Sequence, residues 1–354
     1  MRGYRVTDVT CVGRNIMTLN YSAISSPKLS GAVENFLNLP RLRLANLNTP
    51  IERVDRLRQQ IPGAPQLYVK RDDLTGYFGG GNKLRKLEYV MADALAKNAT
   101  TVITTGSITS NLARTTAAVA KRLGLKCVLV LNGGDPKSAR ANSRVADLLN
   151  VEVHSVGSRK ERDEKMNELA EGLERSGERV YKIPLGASND IGSFGMVAAM
   201  EEIIVQQLEL GEQFDAIVIA TSSGGTQAGL EVAKRLFGLN NLRIIGVSAD
   251  DPAAEIKQAA LNAINPMLRR LGLTNIVKAD DLAVDDHFIG DGYGINTPES
   301  TEAIRVFTHA EGLLLDPVYV SKGAAGLISY CRRGVFQKSD RVLFWHTGGV
   351  MTLF

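Results

Sequence analysis

Ala216-Ile-Val-Ile-Ala-Thr-Ser-Ser-Gly-Gly-Thr-Gln-Ala-Gly229 runs from an unbroken apolar stretch through a glycine-rich turn into a helical pattern. Five apolar residues in a row, with no polar alternation, have to be covered on both faces. That is the condition of a strand inside a parallel sheet clad in helices. The small residues that follow leave consecutive backbone N–H groups open at a helix start, a cradle for a phosphate. Glycine-rich strand–helix turns also arise for packing alone, so this stretch decides the fold before it decides a ligand.

Outward from it the same alternation recurs. Thr101–Gly106, Cys127–Leu131, Val151–Ser155 and Val180–Pro184 read as strands, separated by helical patterns at 110–123, 137–149 and 160–176. On the near side of the opening stretch a helix is expected over 197–210. Beyond it come a helix over 226–236, a strand at Arg243–Val247, a helix near 321–333 and a strand at Arg341–Trp345. The class is therefore α/β, with two open, mostly parallel twisted sheets covered by helices and a ligand site between them at the strand C-termini. No internal repeat or low-complexity segment interrupts the pattern.

Composition narrows the function classes. The chain has 354 residues, 44% hydrophobic and 23% charged, enough for a sizeable core and for two domains. Its net charge of +4 is spread rather than striped, and the Arg41–Arg58 region interleaves its arginines with acids, Pro and Asn. That excludes a nucleic-acid surface built on counterion release. The three cysteines, Cys11, Cys127 and Cys331, form no C-x-x-C pair, which points to a reducing cytoplasm. No apolar run approaches the roughly 18 residues of a membrane span. Residues 1–35 are expected to form a loose arm that need not be ordered, with Met17 as an alternative start. His154, His287 and His309 share no metal-site spacing, and none is expected to hold a metal.

Three segments carry chemistry. Gly79-Gly-Gly-Asn-Lys83-Leu-Arg-Lys86 follows Tyr68–Gly76, setting two amines three residues apart on one helical face. One amine held neutral is a nucleophile toward a carbonyl, while the other balances an anion; two exposed lysines at a helix start are the plainer alternative. Gly106-Ser-Ile-Thr-Ser-Asn111 leads into a helix that Ser110 can cap, and that helix start can hold a carboxylate while Asn111 donates to a ring oxygen. With Ser223, Gly224, Gly225 and Thr226 as a phosphate cup, the three together suggest pyridoxal phosphate.

Val69–Gly76, Gly80–Glu88, Ser110-Asn111, Ser223–Gly229, Gly292-Tyr-Gly294, Leu315–Lys322 and His346-Thr-Gly-Gly349 occur in the order found in one family. From about residue 36 onward the chain resembles the D-cysteine desulfhydrase/1-aminocyclopropane-1-carboxylate (ACC) deaminase family, fold-type II pyridoxal-phosphate enzymes. The resemblance implies that Lys83 carries the cofactor, supported by Asn82 and Lys86, and that Asn111 faces the pyridine hydroxyl. It implies that residues 223–226 hold the phosphate, that Thr347 faces the ring nitrogen, and that Ser110, Tyr293 and Tyr319 serve the substrate. It also implies a homodimer, a small domain at 85–188, and a large domain at 36–84 and 189–354.

Two departures from the family bear on substrate. ACC deaminases place Glu after the equivalent of Tyr319 and Leu after that of His346, whereas desulfhydrases place small hydroxyl residues at both. This chain has Val320 and Thr347, which disfavours a carboxylate-driven opening of cyclopropane. Leu112 stands where a polar residue is usual beside the substrate, and Ser321 where Gly is common. The resemblance therefore implies α,β-elimination of D-cysteine or a related β-substituted amino acid. L-Cysteate lysis, ACC deamination and a catalytically weakened cofactor-binding protein are the alternatives. His346 is expected to orient the Gly-Gly turn, and Trp345 to lie in the core.

Overall fold

The computed structural model describes residues 27–134, 141–274 and 276–354. In chain order it begins α1 (Pro27–Leu37), β1 (Ile51–Arg53), α2 (Asp55–Gln60), β2 (Gln66–Arg71) and α3 (Lys83–Ala96). There follow β3 (Thr101–Ser107), α4 (Asn111–Leu123), β4 (Lys126–Asn132), α5 (Ala141–Leu148), β5 (Glu152–Val156), α6 (Glu161–Arg175) and β6 (Val180–Ile183). The chain closes with α7 (Phe194–Leu210), β7 (Ala216–Thr221), α8 (Gly225–Leu236), β8 (Arg243–Ser248), α9 (Ala253–Arg270) and β9 (Ala283–Asp285). Last come α10 (Pro298–Glu311), α11 (Val320–Arg332) and β10 (Arg341–His346).

The strands form two sheets, one ordered β1-β2-β10-β7-β8-β9 and one ordered β5-β4-β3-β6. Every pairing is parallel except that of the edge strand β1 with β2. The six-stranded sheet draws β2 from one end of the chain and β10 from the other, and the four-stranded sheet lies between them in sequence.

The apolar runs have a direct structural reason. In β7, Ile217 and Ile219 enter one apolar cluster with Phe36, Phe194 and Trp345, while Ala216 and Val218 enter another with Leu327 and Phe344. β4 divides likewise, Leu129 and Leu131 to one side and Val128 and Val130 to the other. Each such side chain contributes roughly 1.5–3 kcal/mol when fully removed from water, so both faces resist a polar residue. Trp345 is fully buried in this core, as expected.

Most expected element boundaries fall within a few residues of the observed ones. Residues 1–26, including Cys11 and Met17, lie outside the described residues, as do 135–140, where the expected 137–149 helix begins. The expected arm does not extend to residue 35. From Pro27 the chain is helical, and α1 packs Ala32, Val33 and Phe36 into the core, with the Phe36 ring 6.0 Å from that of Phe194. Among the described residues no helix is long and apolar enough to cross a membrane.

Candidate active site

Strands of both sheets end on one cavity of about 780 Å³. Gly106 and Ser107 reach it from β3, Asn132 from β4, Thr221 from β7, Asp250 from just past β8, and Thr347 from just past β10. Ligand sites of open α/β sheets lie at such strand C-termini.

Lys83 opens α3, and its Nζ sits 3.3 Å from Asn82 Oδ1. Protein surrounds the amine, although the cavity reaches it. Burial pulls its pKa down to about 8, with Asp316 pulling weakly the other way. A lysine with that pKa supplies far more free amine at neutral pH than an exposed one, as a carbonyl nucleophile requires. The same helix is anchored by a group the sequence reading passed over. Arg85 is fully buried, with Nη2 2.7 Å from Asp72 and Nη1 2.8 Å from Glu202. Lys70 donates to the Thr49 carbonyl at 2.7 Å and completes the cluster against Glu202. These partners come from widely separated segments, so no local motif announces them.

Lys86 is fully buried rather than exposed, and its Nζ donates to the Gly186 carbonyl and Ser188 Oγ, both at 3.2 Å. Burial and the nearby Lys83 push its pKa well down. Ser188 Oγ in turn lies 2.8 Å from Ser223 Oγ. Asn82 Nδ2 donates to Thr226 Oγ1 at 2.8 Å, tying the Lys83 segment to the glycine-rich turn. In that turn the N–H groups of Ser223 and Gly224 donate to no described protein atom, and α8 begins at Gly225. A β-carbon on Gly225 would stand 2.4 Å from Ser188 Oγ, so only glycine lets the two segments approach.

Ser110 caps α4, its Oγ accepting from Ala113 N–H at 3.2 Å, and lines the cavity. Asn111 Oδ1 accepts from Arg114 at 3.0 Å and from Asn142 at 3.3 Å, leaving the amide Nδ2 as the end free to donate. Arg114 also donates to the Gly80 carbonyl at 3.0 Å, holding α4 against the Lys83 loop. Thr347 lines the cavity, and its carbonyl accepts from Asn82 N–H at 3.0 Å. His346 holds the turn beyond it, accepting from Gly348 N–H at 3.3 Å and meeting the Leu314 carbonyl at 2.8 Å. That is the orienting part expected of it.

On the outer side Ser107 Oγ, Thr109 Oγ1, Tyr293 OH and Tyr319 OH form a hydroxyl chain. Tyr293 lies 2.9 Å from Ser107, 3.1 Å from Thr109 and 2.6 Å from Tyr319. Burial, then the neighbouring Tyr293, raises the Tyr319 pKa well above that of an ordinary phenol, so Tyr319 keeps its proton at neutral pH. The loop carrying Tyr293 is held by Lys322, fully buried, which donates to the carbonyls of Ala249, Ile289 and Gly292 at 2.7–2.9 Å.

The two departures read from sequence take different places. Leu112 is 1% exposed and packs in the small-sheet core while also lining the cavity. Val320 is not a cavity wall. It is fully buried in the helix layer over the large sheet with Leu327 and Phe344, and its N–H donates to Asp316 at 2.7 Å. Ser321 is fully buried, not on the surface, and its Oγ meets no partner among the described residues. Away from the cavity, Asp285, Asp286 and exposed His287 bring their ligand atoms within 4.8 Å of one another, a grouping that histidine spacing alone does not reveal.

These residues fit pyridoxal phosphate. Lys83 offers an amine of lowered pKa for an aldehyde, Ser223 and Gly224 offer undonated N–H groups for a phosphate, and Asn111 offers an amide N–H for a ring hydroxyl. Gly225 is buried, and the lack of a Cβ lets this turn lie directly against Ser188.

Comparison with known proteins agrees. Residues 42–348 match the family model described as pyridoxal-phosphate dependent enzyme. The D-cysteine desulfhydrase of Klebsiella pneumoniae (strain 342) is 38% identical over 335 residues, covering 91% of this chain and 98% of that protein. A crystal structure of an ACC deaminase homologue superposes with a TM-score of 0.83 at 35% identity, covering 93% of this chain and 97% of that one. The processed form of threonine deaminase isoform 2 from Solanum lycopersicum, 19% identical, shares the fold with a TM-score of 0.65 over 92% and 90% of the two chains. The amine at the base of the cavity, the cup beside it and a family match across most of the sequence agree: this chain belongs to the pyridoxal-phosphate dependent enzymes, and its cofactor is pyridoxal phosphate.

Proposed function

We propose that this enzyme catalyses α,β-elimination on D-cysteine, or a closely related β-substituted amino acid, releasing pyruvate, ammonia and sulfide. The observation that carries the reading is the meeting of Lys83, the Ser223–Thr226 cup and the Tyr293–Tyr319 pair on one cavity. The desulfhydrase relative supports the substrate class.

Lys83 would hold the cofactor aldehyde, Ser223, Gly224, Gly225 and Thr226 its phosphate, Asn111 its ring hydroxyl, and Thr347 its ring nitrogen. When bound, the cofactor withdraws electrons from the substrate Cα and so makes the α-proton acidic. Asn82 and Lys86 brace the lysine segment and the cup. The N–H groups where α4 begins, with the Ser110 hydroxyl, are suited to hold the substrate carboxylate. Ser110, or the Lys83 amine freed when the substrate amine takes its place, would accept the α-proton, the two lying on the same cavity. The Cβ–S bond breaks with both electrons leaving on sulfur, and water converts the remainder to pyruvate and ammonia. Tyr319, which keeps its proton and is 2.6 Å from Tyr293, is placed to hold or deliver a proton at the departing group. Leu112 and Thr347 would complete the substrate wall, and Val320, whose side chain lies in the core, would offer the ring no polar group.

The division into a small unit at 85–188 and a large unit at 27–84 and 189–354 belongs to the same reading, the large unit now starting at α1. So do a homodimer and a cytoplasmic location, which buried, unpaired Cys127 and Cys331 suit. Incubation of the purified holoenzyme with D- and L-cysteine, cysteate, β-chloroalanine and ACC tests the reaction. Pyruvate and sulfide in equal amounts from D-cysteine are expected. Faster 2-oxobutyrate formation from ACC than pyruvate formation from any cysteine would overturn the assignment.

A further inference from the structure

Two arginines, Arg159 just before α6 and Arg162 in its first turn, line the cavity, and they differ in how their charge is used. Arg159 pairs with Asp250 at 2.9 Å and Asp251 at 2.8 Å, and its guanidinium lies 5.4 Å from the centre of the Tyr293 ring. It bridges the two sheets, and its charge is matched. Arg162 is half-buried on the same lining, and its Nε donates to the Arg159 carbonyl at 3.3 Å. Among the described residues its two terminal nitrogens meet no acceptor and no carboxylate.

That position is unfavourable for a structural arginine. Arg162 is the second residue of α6, where the helix dipole repels cations, and Arg159 adds a second positive charge. The acids of that turn are only partly available, because Glu161 is engaged by Ser158 Oγ and Gly157 N–H. Arg162, Asp163, Tyr293 and Tyr319 line one cavity, so the Arg162 guanidinium shares that enclosure with the hydroxyl chain.

We propose that Arg162 is a specificity residue that selects substrates whose β-substituent carries negative charge on or beside sulfur, a thiolate or a sulfonate. The proposal rests on the elimination reading, because it takes the Tyr293–Tyr319 pair as the place where the β-substituent sits. A guanidinium with both terminal nitrogens unused recognises either group through charge-assisted hydrogen bonds. It gains nothing from a neutral substituent such as chloride bound to carbon.

The test compares the wild-type holoenzyme with Arg162→Gln and Arg162→Lys. For each, kcat/KM is measured on D-cysteine and on D-cysteate, both relative to β-chloro-D-alanine. These two arms separate thiolate from sulfonate. Arg162→Gln is expected to lower one or both ratios by about ten- to a hundred-fold, the worth of a hydrogen bond to a charged group, and Arg162→Lys to recover most of the loss. Unchanged ratios in Arg162→Gln, or a failure of Lys to recover them, overturn the proposal. A binding arm needs no turnover: 3-sulfopropionate and butyrate are titrated calorimetrically into the same proteins. Wild type is expected to prefer the sulfonate and Arg162→Gln to lose that preference; equal preference in both overturns the proposal. If no amino acid is turned over but the preference is lost in Arg162→Gln, the elimination reading fails while the anion selectivity of Arg162 stands.

Discussion

Replacing Gly225 by alanine tests whether the glycine-rich turn is a phosphate cup or a packing turn. The added β-carbon would lie 2.4 Å from Ser188 Oγ, 2.5 Å from its Cβ and 2.7 Å from its Cα. Rotating the serine side chain relieves only the first of these contacts, so the backbone near Ser188 has to move. Ser188 is bonded to Ser223 at 2.8 Å and to Lys86 at 3.2 Å, and the displacement therefore spreads through the cup. Overpacking of this kind costs about 1–3 kcal/mol of stability. Loss of one hydrogen bond to the phosphate costs a further ~1.5–3 kcal/mol of cofactor binding, or about ten- to a hundred-fold in Kd. The assay is titration of the apoenzyme with pyridoxal phosphate, followed by fluorescence, alongside urea unfolding of the apo form. Gly31→Ala is the control, since a β-carbon there meets nothing within 4 Å and Gly31 sits in α1. The control should keep wild-type affinity and gain roughly 0.5–1 kcal/mol from helix propensity. A Gly225→Ala protein that binds the cofactor within two-fold of wild type, about 0.4 kcal/mol, would make the glycine-rich segment a packing turn and not a phosphate cup.

Three further outcomes follow from the same geometry. Glu202→Ala leaves Arg85 and Lys70 buried beside an empty acceptor, and urea unfolding should show a loss of about 3–5 kcal/mol. Tyr319→Phe removes a hydroxyl from the 2.6 Å contact with Tyr293, and steady-state kinetics should show kcat lower by about 10²–10⁴-fold with cofactor loading retained. Burial lowers the Lys83 pKa to about 8, so in the apoenzyme its charged form is disfavoured by folding. The Lys83 contribution to stability is then least below about pH 8, where folded and unfolded chains both hold the proton. It rises between about pH 8 and the unfolded lysine pKa of roughly 10.4. Comparing apo wild type with Lys83→Met across that range should show the wild type gaining on the variant as pH rises.

The parts of this molecule that were legible in its sequence are those specified by neighbours in the chain. The Ala216–Ala220 run had to be buried on both faces, and Ile217 and Val218 do enter opposite clusters. Ser110 caps α4 as its position before Asn111 suggested. What stayed hidden depends on long-range geometry. Nothing local to Arg85 indicates that Glu202, far along the chain, will meet it in the core. The direction of Val320 is set at the start of α11, where Asp316 gathers the N–H groups of Val318, Tyr319 and Val320 and that side chain turns into the helix layer. Lys86 and Ser188 make one bridge although they come from opposite ends of the small-sheet segment. Arg159 could not be matched with Asp250 and Asp251 until both sheets were in place.

Lys83, among the lysines of this chain, is the one proposed to hold the cofactor. Borohydride reduction of the holoenzyme, followed by proteolysis and mass spectrometry, reads the attachment point directly. A reduced pyridoxyl group is expected on the peptide carrying Lys83 and is expected to be absent from Lys83→Ala. Attachment at Lys86, or at any other lysine in the wild type, would contradict it.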